Sequence, residues 1–239
     1  MSNLTIKVQC CVSEETRSRN IALAPDLPEP SGTGKLAIVA GGTSAANHID
    51  ELRGWDGDIW AINATHKWLR SKGIESTTFS ADPQSVITNI LVGSTSAILA
   101  SHSDPSMFKA MDGKECYIID GSVSGPTTSV VAAVYAVKAG YDNVHIFGCD
   151  GSYGKKTTHV GDGMHYGELI KLNCNENEYE TRLEYIAQTE QLVGAIKAFP
   201  QFLKNRSGGF LKDLIESGDY TVTNLSEIIK HETQLEEIK

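Results

Sequence analysis

Cysteine is scarce and unpatterned in this 239-residue chain: five residues (Cys10, Cys11, Cys116, Cys149 and Cys174), an odd set with no CxxC pair. That excludes a disulfide framework and a zinc knuckle, and places the chain in a reducing cytoplasm. No window approaches about 18 consecutive apolar residues, so no membrane-spanning helix is expected. Residues 1–20 lack the apolar core of a secretory leader. Basic residues are outnumbered by acidic ones, 21 to 30, for a net charge of −9. A duplex-binding surface needs a lysine and arginine stripe that releases counterions, so general nucleic-acid binding is excluded. A local pocket for one phosphate group is compatible with that charge. Internal repeats and low-complexity tracts are absent. What is present, 40% hydrophobic and 7% aromatic residues, is ordinary for a chain that buries its own core.

The middle of the chain is dense and its ends are looser. Residues 1–34 finish in APDLPEPSGTGK, where three prolines and two glycines precede the first strand, and read as an N-terminal arm laid over the surface. From Lys35 short β-rich runs alternate with helical windows: LAIVA, DIWAIN, STTFSAD, SAILASH, CYIID and NVHIFGCD. That alternation predicts an α/β fold, a mainly parallel sheet with helices on both faces, over residues 35–175. VVAAVYAVKAG, residues 130–140, is small and apolar nearly all round and ends at a glycine, the pattern of a buried crossover helix. Residues 149–175 lose periodicity and read as a long loop with one short strand at GELIKLN. Tyr179, Leu183, Ile186, Leu192, Ile196 and Phe199 recur at roughly helical spacing, which predicts a long amphipathic helix over residues 178–199, ended by Pro200. Residues 207–239 read as two short helices around SGDYTVTN. Residues 176–239 thus form a C-terminal helical extension packed on the sheet domain.

Ligands of open α/β sheets sit beyond the carboxyl ends of the strands, where helix N-termini offer unpaired N–H groups to anions. Gly41, Gly42, Thr43 and Ser44 in KLAIVAGGTSAANHI occupy such a position. The run is neither GxGxxG nor GxxxxGK[ST], so two readings stand: a phosphate loop, or a tight turn with a Ser or Thr cap. A second strand–loop–helix unit follows at residues 124–153. There Ser124, Gly125, Thr127 and Thr128 either face the cleft or cap the helix, and Asp150 closes the next strand. Asn63, Asp82 and Asp120 end other strands, so polar groups gather along one rim. Converging carboxylates suit magnesium held beside phosphates.

The order AGGTS, WAIN, FSADPQ, SGPTTSVVAAVYAVKAGYDNVHIFGCD and then a histidine-bearing loop resembles the MptE-like family, typified by 6-hydroxymethylpterin diphosphokinases, over about residues 35–165. That family is similar in fold to motility accessory factors that glycosylate flagellin and, more distantly, to bacterial sialyltransferases with a Rossmann-like domain. The resemblance implies a Rossmann-like nucleotide-binding domain. It matches Gly41 to Ser44 to a nucleotide loop, with Thr43 where a proline usually stands, and matches Asp82 and Asp150 to acidic strand-end residues. His159 in KTTHVGD and His165 in GDGMHYGE lie where a lid could close, as general base or phosphate-binding cation.

Three functions are compatible with these residues, and the strand-end acids Asp82 and Asp150 favour the first. The first is a magnesium-dependent diphosphokinase that transfers from ATP to a hydroxymethyl heterocycle, with Asp82 and Asp150 on the metal and Asp150, His159 and His165 as catalytic candidates. The second is a glycosyltransferase using a nucleotide sugar of the CMP-sugar kind. The third is a nucleotide-binding module without catalysis. The partners expected are a nucleotide and a small-molecule acceptor. Gly41, Gly42, Thr43, Ser44, Asn63, Ser124, Gly125, Thr127 and Thr128 are the expected nucleotide contacts.

Overall fold

A computed structural model of the chain describes residues 12–30, 32–83, 85–119, 127–153, 160 and 169–224. The strands are β1 (Lys35–Val39), β2 (Asp58–Ile62), β3 (Thr77–Ser80), β4 (Ser96–Ala100), β5 (Glu115–Ile119), β6 (Asn143–Phe147), β7 (Ile170–Cys174), β8 (Asn177–Thr181), β9 (Leu203–Asn205) and β10 (Thr221–Val222). The helices are α1 (Glu14–Ile21), α2 (Ile49–Arg53), α3 (Thr65–Ser71), α4 (Pro105–Ala110), α5 (Thr128–Lys138), α6 (Leu183–Ala198) and α7 (Gly209–Ser217), with 3₁₀ turns at Thr43–His48 and Ser85–Leu91. Seven strands form one sheet in the order β5-β4-β3-β2-β1-β6-β9, every pair parallel. The expected α/β, Rossmann-like architecture is therefore present.

β1 is central, and Leu36, Ala37, Ile38 and Val39 are all fully buried. That is the reason LAIVA shows no polar alternation: both faces of the strand are covered. Leu36 and Ile38 join α5 and α6 in one core, while Ala37 and Val39 join Leu52, Leu69 and Phe147 in another, beneath α2 and α3. Helices thus cover both faces. Ala132, Ala133 and Ala136 are fully buried, and their small side chains let α5 lie close on β1 and β6.

The arm before β1 is fastened at its far end. Ser13 caps α1 by accepting the N–H of Thr16, and the buried Asn20 donates to the carbonyls of Ser101 (2.9 Å) and Ser103 (2.8 Å). The Ile118 N–H donates to Pro25 O at 2.8 Å, so the arm covers the β5 edge that would otherwise be open to pairing.

Three expectations change. The helix expected over residues 178–199 begins at Leu183, because the residues before it form β8, antiparallel to β7. Asn175 (φ 49°) and Glu176 (φ 65°) make the two-residue turn between them, both in the left-handed region, as a type I′ hairpin requires. Tyr179 sits at helical spacing from Leu183 by coincidence, and its inward direction comes from strand alternation. SGDYTVTN, expected between two helices, instead carries β10, which pairs with β7; the second of those helices lies outside the described residues. Finally, β9 from the C-terminal segment belongs to the main sheet beside β6, and the expected boundary at 175/176 falls in the β7–β8 turn. Among the described residues no helix is long and apolar enough to cross a membrane.

Candidate functional site

The chain steps outward from β1 through β2, β3 and β4 to β5, then returns through α5 to place β6 on the other side of β1. Connections leave β1 and β6 in opposite directions, so a crevice opens between their carboxyl ends. A cavity of about 850 Å³ lies there. It is bordered by the loops after β1 and β6, the β2–α3 junction, the amino end of α5 and one side of α6.

Its floor is made of loops bonded to one another. The Ala40 N–H donates to Phe147 O at 2.9 Å and the Gly42 N–H to Gly148 O at 2.7 Å. A Cβ on Gly42 would lie 2.4 Å from Gly148 O and 2.7 Å from the Asp150 carboxyl carbon. A Cβ on Gly148, whose φ is +65°, would lie 2.4 Å from Ala40 O. These glycines are thus required for backbone-to-backbone contact, a demand separate from any ligand.

Asp150 is 5% exposed and holds the same junction together. Its Oδ2 accepts the Ser44 N–H at 2.9 Å, and its Oδ1 accepts the Ser44 hydroxyl in a short hydrogen bond. The Ser44 Oγ in turn accepts the Gly208 N–H at 3.0 Å. Ser207 extends the network, accepting the Cys149 N–H at 2.9 Å and donating to Ile146 O at 3.1 Å. Leu211, in the first turn of α7, donates its N–H to Asp150 O at 3.0 Å. The loop Ser207-Gly208-Gly209 was not singled out in the sequence, although Gly-Gly after a short strand is a turn signal.

The geometry gives two of the expected site residues, Ser44 and Asp150, a structural role. Thr43 and Ser44 do not line the cavity, whereas Gly41 and Gly42 do; the Ser44 hydroxyl is spent on Asp150 and Gly208. Asp150 lines the cavity, and both of its carboxylate oxygens accept from Ser44, so it fastens the two loops to each other. Asp82 borders the same cavity. Among the described residues no three His, Cys, Asp or Glu side chains come together as a metal site.

The remaining walls carry the polar groups a ligand would meet. Thr127 has an extended backbone as the α5 N-cap, yet its side chain does not cap the helix. It donates to Gln188 Oε1 of α6 at 2.9 Å instead. The first turn of α5, with Thr128 and Ser129, thus borders the cavity without a side-chain cap from Thr127 among the described residues; the Val130 and Val131 N–H groups donate to Thr127 O, and N–H groups left uncapped ahead of them favour an anion. Asn63, after β2, has φ +50°. Its Oδ1 is buried and has no hydrogen-bond partner among the described residues, an unsatisfied state that costs about 1–3 kcal/mol unless a ligand fills it.

Lys67, Trp68 and Ser71 of α3, and Tyr185 and Gln188 of α6, complete the lining. None of these was singled out in the sequence, since apolar spacing on a helix reads as core. Lys67 Nζ donates to Asn89 O at 2.8 Å. The Tyr185 hydroxyl is pushed up to about 12, first by burial and then by the Tyr153 hydroxyl beside it. Burial likewise pushes the Cys149 thiol up to about 12, which removes it as a nucleophile near neutral pH. Ser124, Gly125, Asp120, His159 and His165 lie outside the described residues.

No protein-family profile matches the chain, and no curated protein matches it. Among solved structures it is similar to a crystal structure of a protein from Lactobacillus plantarum, at 15% identity and a TM-score of 0.34; the match covers 71% of this chain and 58% of that one.

Proposed function

We propose that the chain is a nucleotide-binding transferase whose donor lies in the switch-point cavity, with its phosphates at the uncapped first turn of α5 and beside Gly41. The observation that carries this reading is that uncapped turn, opening on a cavity at the carboxyl ends of β1 and β6 where a parallel sheet places its ligands. The volume, about 850 Å³, is within the range of pockets that enclose a cofactor-sized molecule. The resemblance of the strand-end motifs to MptE-like proteins points the same way.

Of the chemistries compatible with the sequence, glycosyl transfer from a nucleotide sugar to a hydroxyl of a small acceptor is the one favoured by the engagement of Asp150 with Ser44. The acceptor oxygen attacks the sugar's anomeric carbon, the bond to the phosphate oxygen breaks, and the nucleoside phosphate leaves. That step needs a stabilised leaving phosphate and a base for the acceptor proton. The α5 terminus serves the first need. His159 and His165 are the candidates for the second. The magnesium-dependent diphosphokinase is the second reading, favoured by Asp82 on the same cavity but weakened by the engagement of Asp150 with Ser44. Both readings are of a cytoplasmic enzyme.

Calorimetry and thermal melts with nucleoside phosphates, ATP and nucleotide sugars, with and without magnesium, test this. Nucleotide binding that persists in chelator is expected, and a ligand at about 100 times its Kd should stabilise by about 2.7 kcal/mol. If no nucleotide binds, the proposal fails. Turnover of ATP that stops in chelator would select the diphosphokinase, and binding without turnover across acceptors would select the non-catalytic module.

A further inference from the structure

The cavity has two unlike sides. The loops after β1 and β6 and the end of α5 offer backbone and hydroxyl groups, and the β2–α3 junction offers Asn63 and the indole of Trp68. We infer that Trp68 is the platform on which the heterocyclic base of the nucleotide stacks, with Asn63 accepting from the ribose or base beside it. The assignment rests on a nucleotide occupying this cavity, as proposed above.

Three observations on this chain lead there. Trp68 is half-buried and packs against the Leu52, Leu69 and Phe147 core, and it also borders the cavity. Among the described residues it has no ring partner, whereas Tyr185, the other aromatic of the lining, is met edge-on by Tyr153 at 5.6 Å. Among the described residues of the lining, its ring is therefore the aromatic face without a ring contact. Asn63, five positions before it in sequence, also lines the cavity, and its buried Oδ1 has no donor among the described residues. A strand-end acceptor at β2 is where an open α/β sheet meets the ribose of a bound nucleotide. Stacking on an indole is tolerant of base identity, since every base has a π face, so purine and pyrimidine nucleotides should both use it.

The tryptophans make the test direct. Trp55 and Trp60 border a second cavity, formed around the amino ends of β2, β3, β4 and β5, and Trp68 is the tryptophan of the switch-point cavity. Adenosine 5′-monophosphate and cytidine 5′-monophosphate should quench intrinsic fluorescence in the wild type, and inorganic pyrophosphate should not. Trp68→Phe should abolish the quench while keeping affinity within about threefold. Trp68→Ala should weaken both nucleotides by about tenfold or more. Nucleotides that bind by calorimetry with no quench, and with unchanged affinity in Trp68→Ala, would overturn the assignment while leaving the nucleotide reading intact. An equal affinity loss in Trp68→Phe and Trp68→Ala, with a lowered Tm in both, would also overturn it by giving Trp68 a structural role. If no nucleotide binds at all, the parent reading falls and the assignment with it.

Discussion

Neutralising Asp150 separates two roles with opposite signs. In the structure its two oxygens accept the Ser44 N–H and the Ser44 hydroxyl, and the residue is 5% exposed. Asp150→Asn keeps the shape but replaces one acceptor oxygen with a donor and removes the charge that strengthens both bonds. Hydrogen bonds to charged groups contribute about 1.5–3 kcal/mol, and leaving a buried donor unsatisfied costs about 1–3 kcal/mol. Since one acceptor survives, a loss of about 2 kcal/mol is expected, or about 4–8 °C in Tm for a domain of this size. Ser44→Ala should cost a similar amount, because it strands the Gly208 N–H along with one Asp150 oxygen. The two substitutions touch the same network, so the double variant should be less destabilised than the sum by about 1–2 kcal/mol. Urea denaturation in chelator, on all four members of the cycle, measures this. A carboxylate kept open for a metal behaves in the opposite way: unpaired in the metal-free protein, it is a burden, and its neutralisation stabilises. Unchanged or raised stability in Asp150→Asn, with additive single effects, would therefore refute the fastener role and restore the metal-ligand reading.

Two glycine substitutions should differ in sign. Gly148→Ala puts a Cβ 2.4 Å from Ala40 O at φ +65° and should cost about 3 kcal/mol or more, whereas Gly194→Ala, in the middle of α6 with open space around it, should stabilise by about 0.5–1 kcal/mol; denaturant melts of both variants check this. Stability should also fall as the pH drops below the ordinary histidine value of 6.5, because burial first, and nearby cations second, hold His66 and His145 below it. The unfolded chain then binds protons that the folded chain refuses, so the stabilisation is complete above 6.5 and declines on the acid side. The His66 ring nitrogen lies 2.6 Å from Ile90 O, and His66→Gln should flatten the slope between pH 7.5 and 5.5; an unchanged slope would remove His66 from the account.

The sheet was legible because its signal is local. A strand covered on both faces must be apolar at every position, and LAIVA carries that signal within five residues; NVHIF carries it at Val144, Ile146 and Phe147. The α5 run was legible for a related reason: only small residues allow a helix to cross β1 and β6 so closely. The β7–β8 hairpin was not, because its turn is Asn175-Glu176, and glutamate in the left-handed region is not a recognised turn residue. Tyr179 then fell into phase with the true helix that follows.

The site was legible in position and not in role, and glycine is the reason. A backbone that must approach a phosphate and one that must approach another backbone both need a residue without a Cβ, so AGGTS and FGCDG announce a close approach without naming the partner. The partner lies far away in sequence: Ser44 meets Asp150 at a separation of 106 residues and Gly208 at 164. Once those contacts are formed, Gly42, Ser44, Gly148 and Asp150 are committed to one another and constitute a rigid floor. Among the described groups that line the cavity above it, the first turn of α5, the Asn63 acceptor and the Trp68 face are not part of that floor. None of these is a glycine motif, and the tryptophan lies on a helix whose spacing reads as ordinary core. On the proposed reading, the residues that announce the fold and those that would hold a nucleotide are therefore largely different sets. Substitutions in the first should act mainly on stability, and substitutions in the second on affinity.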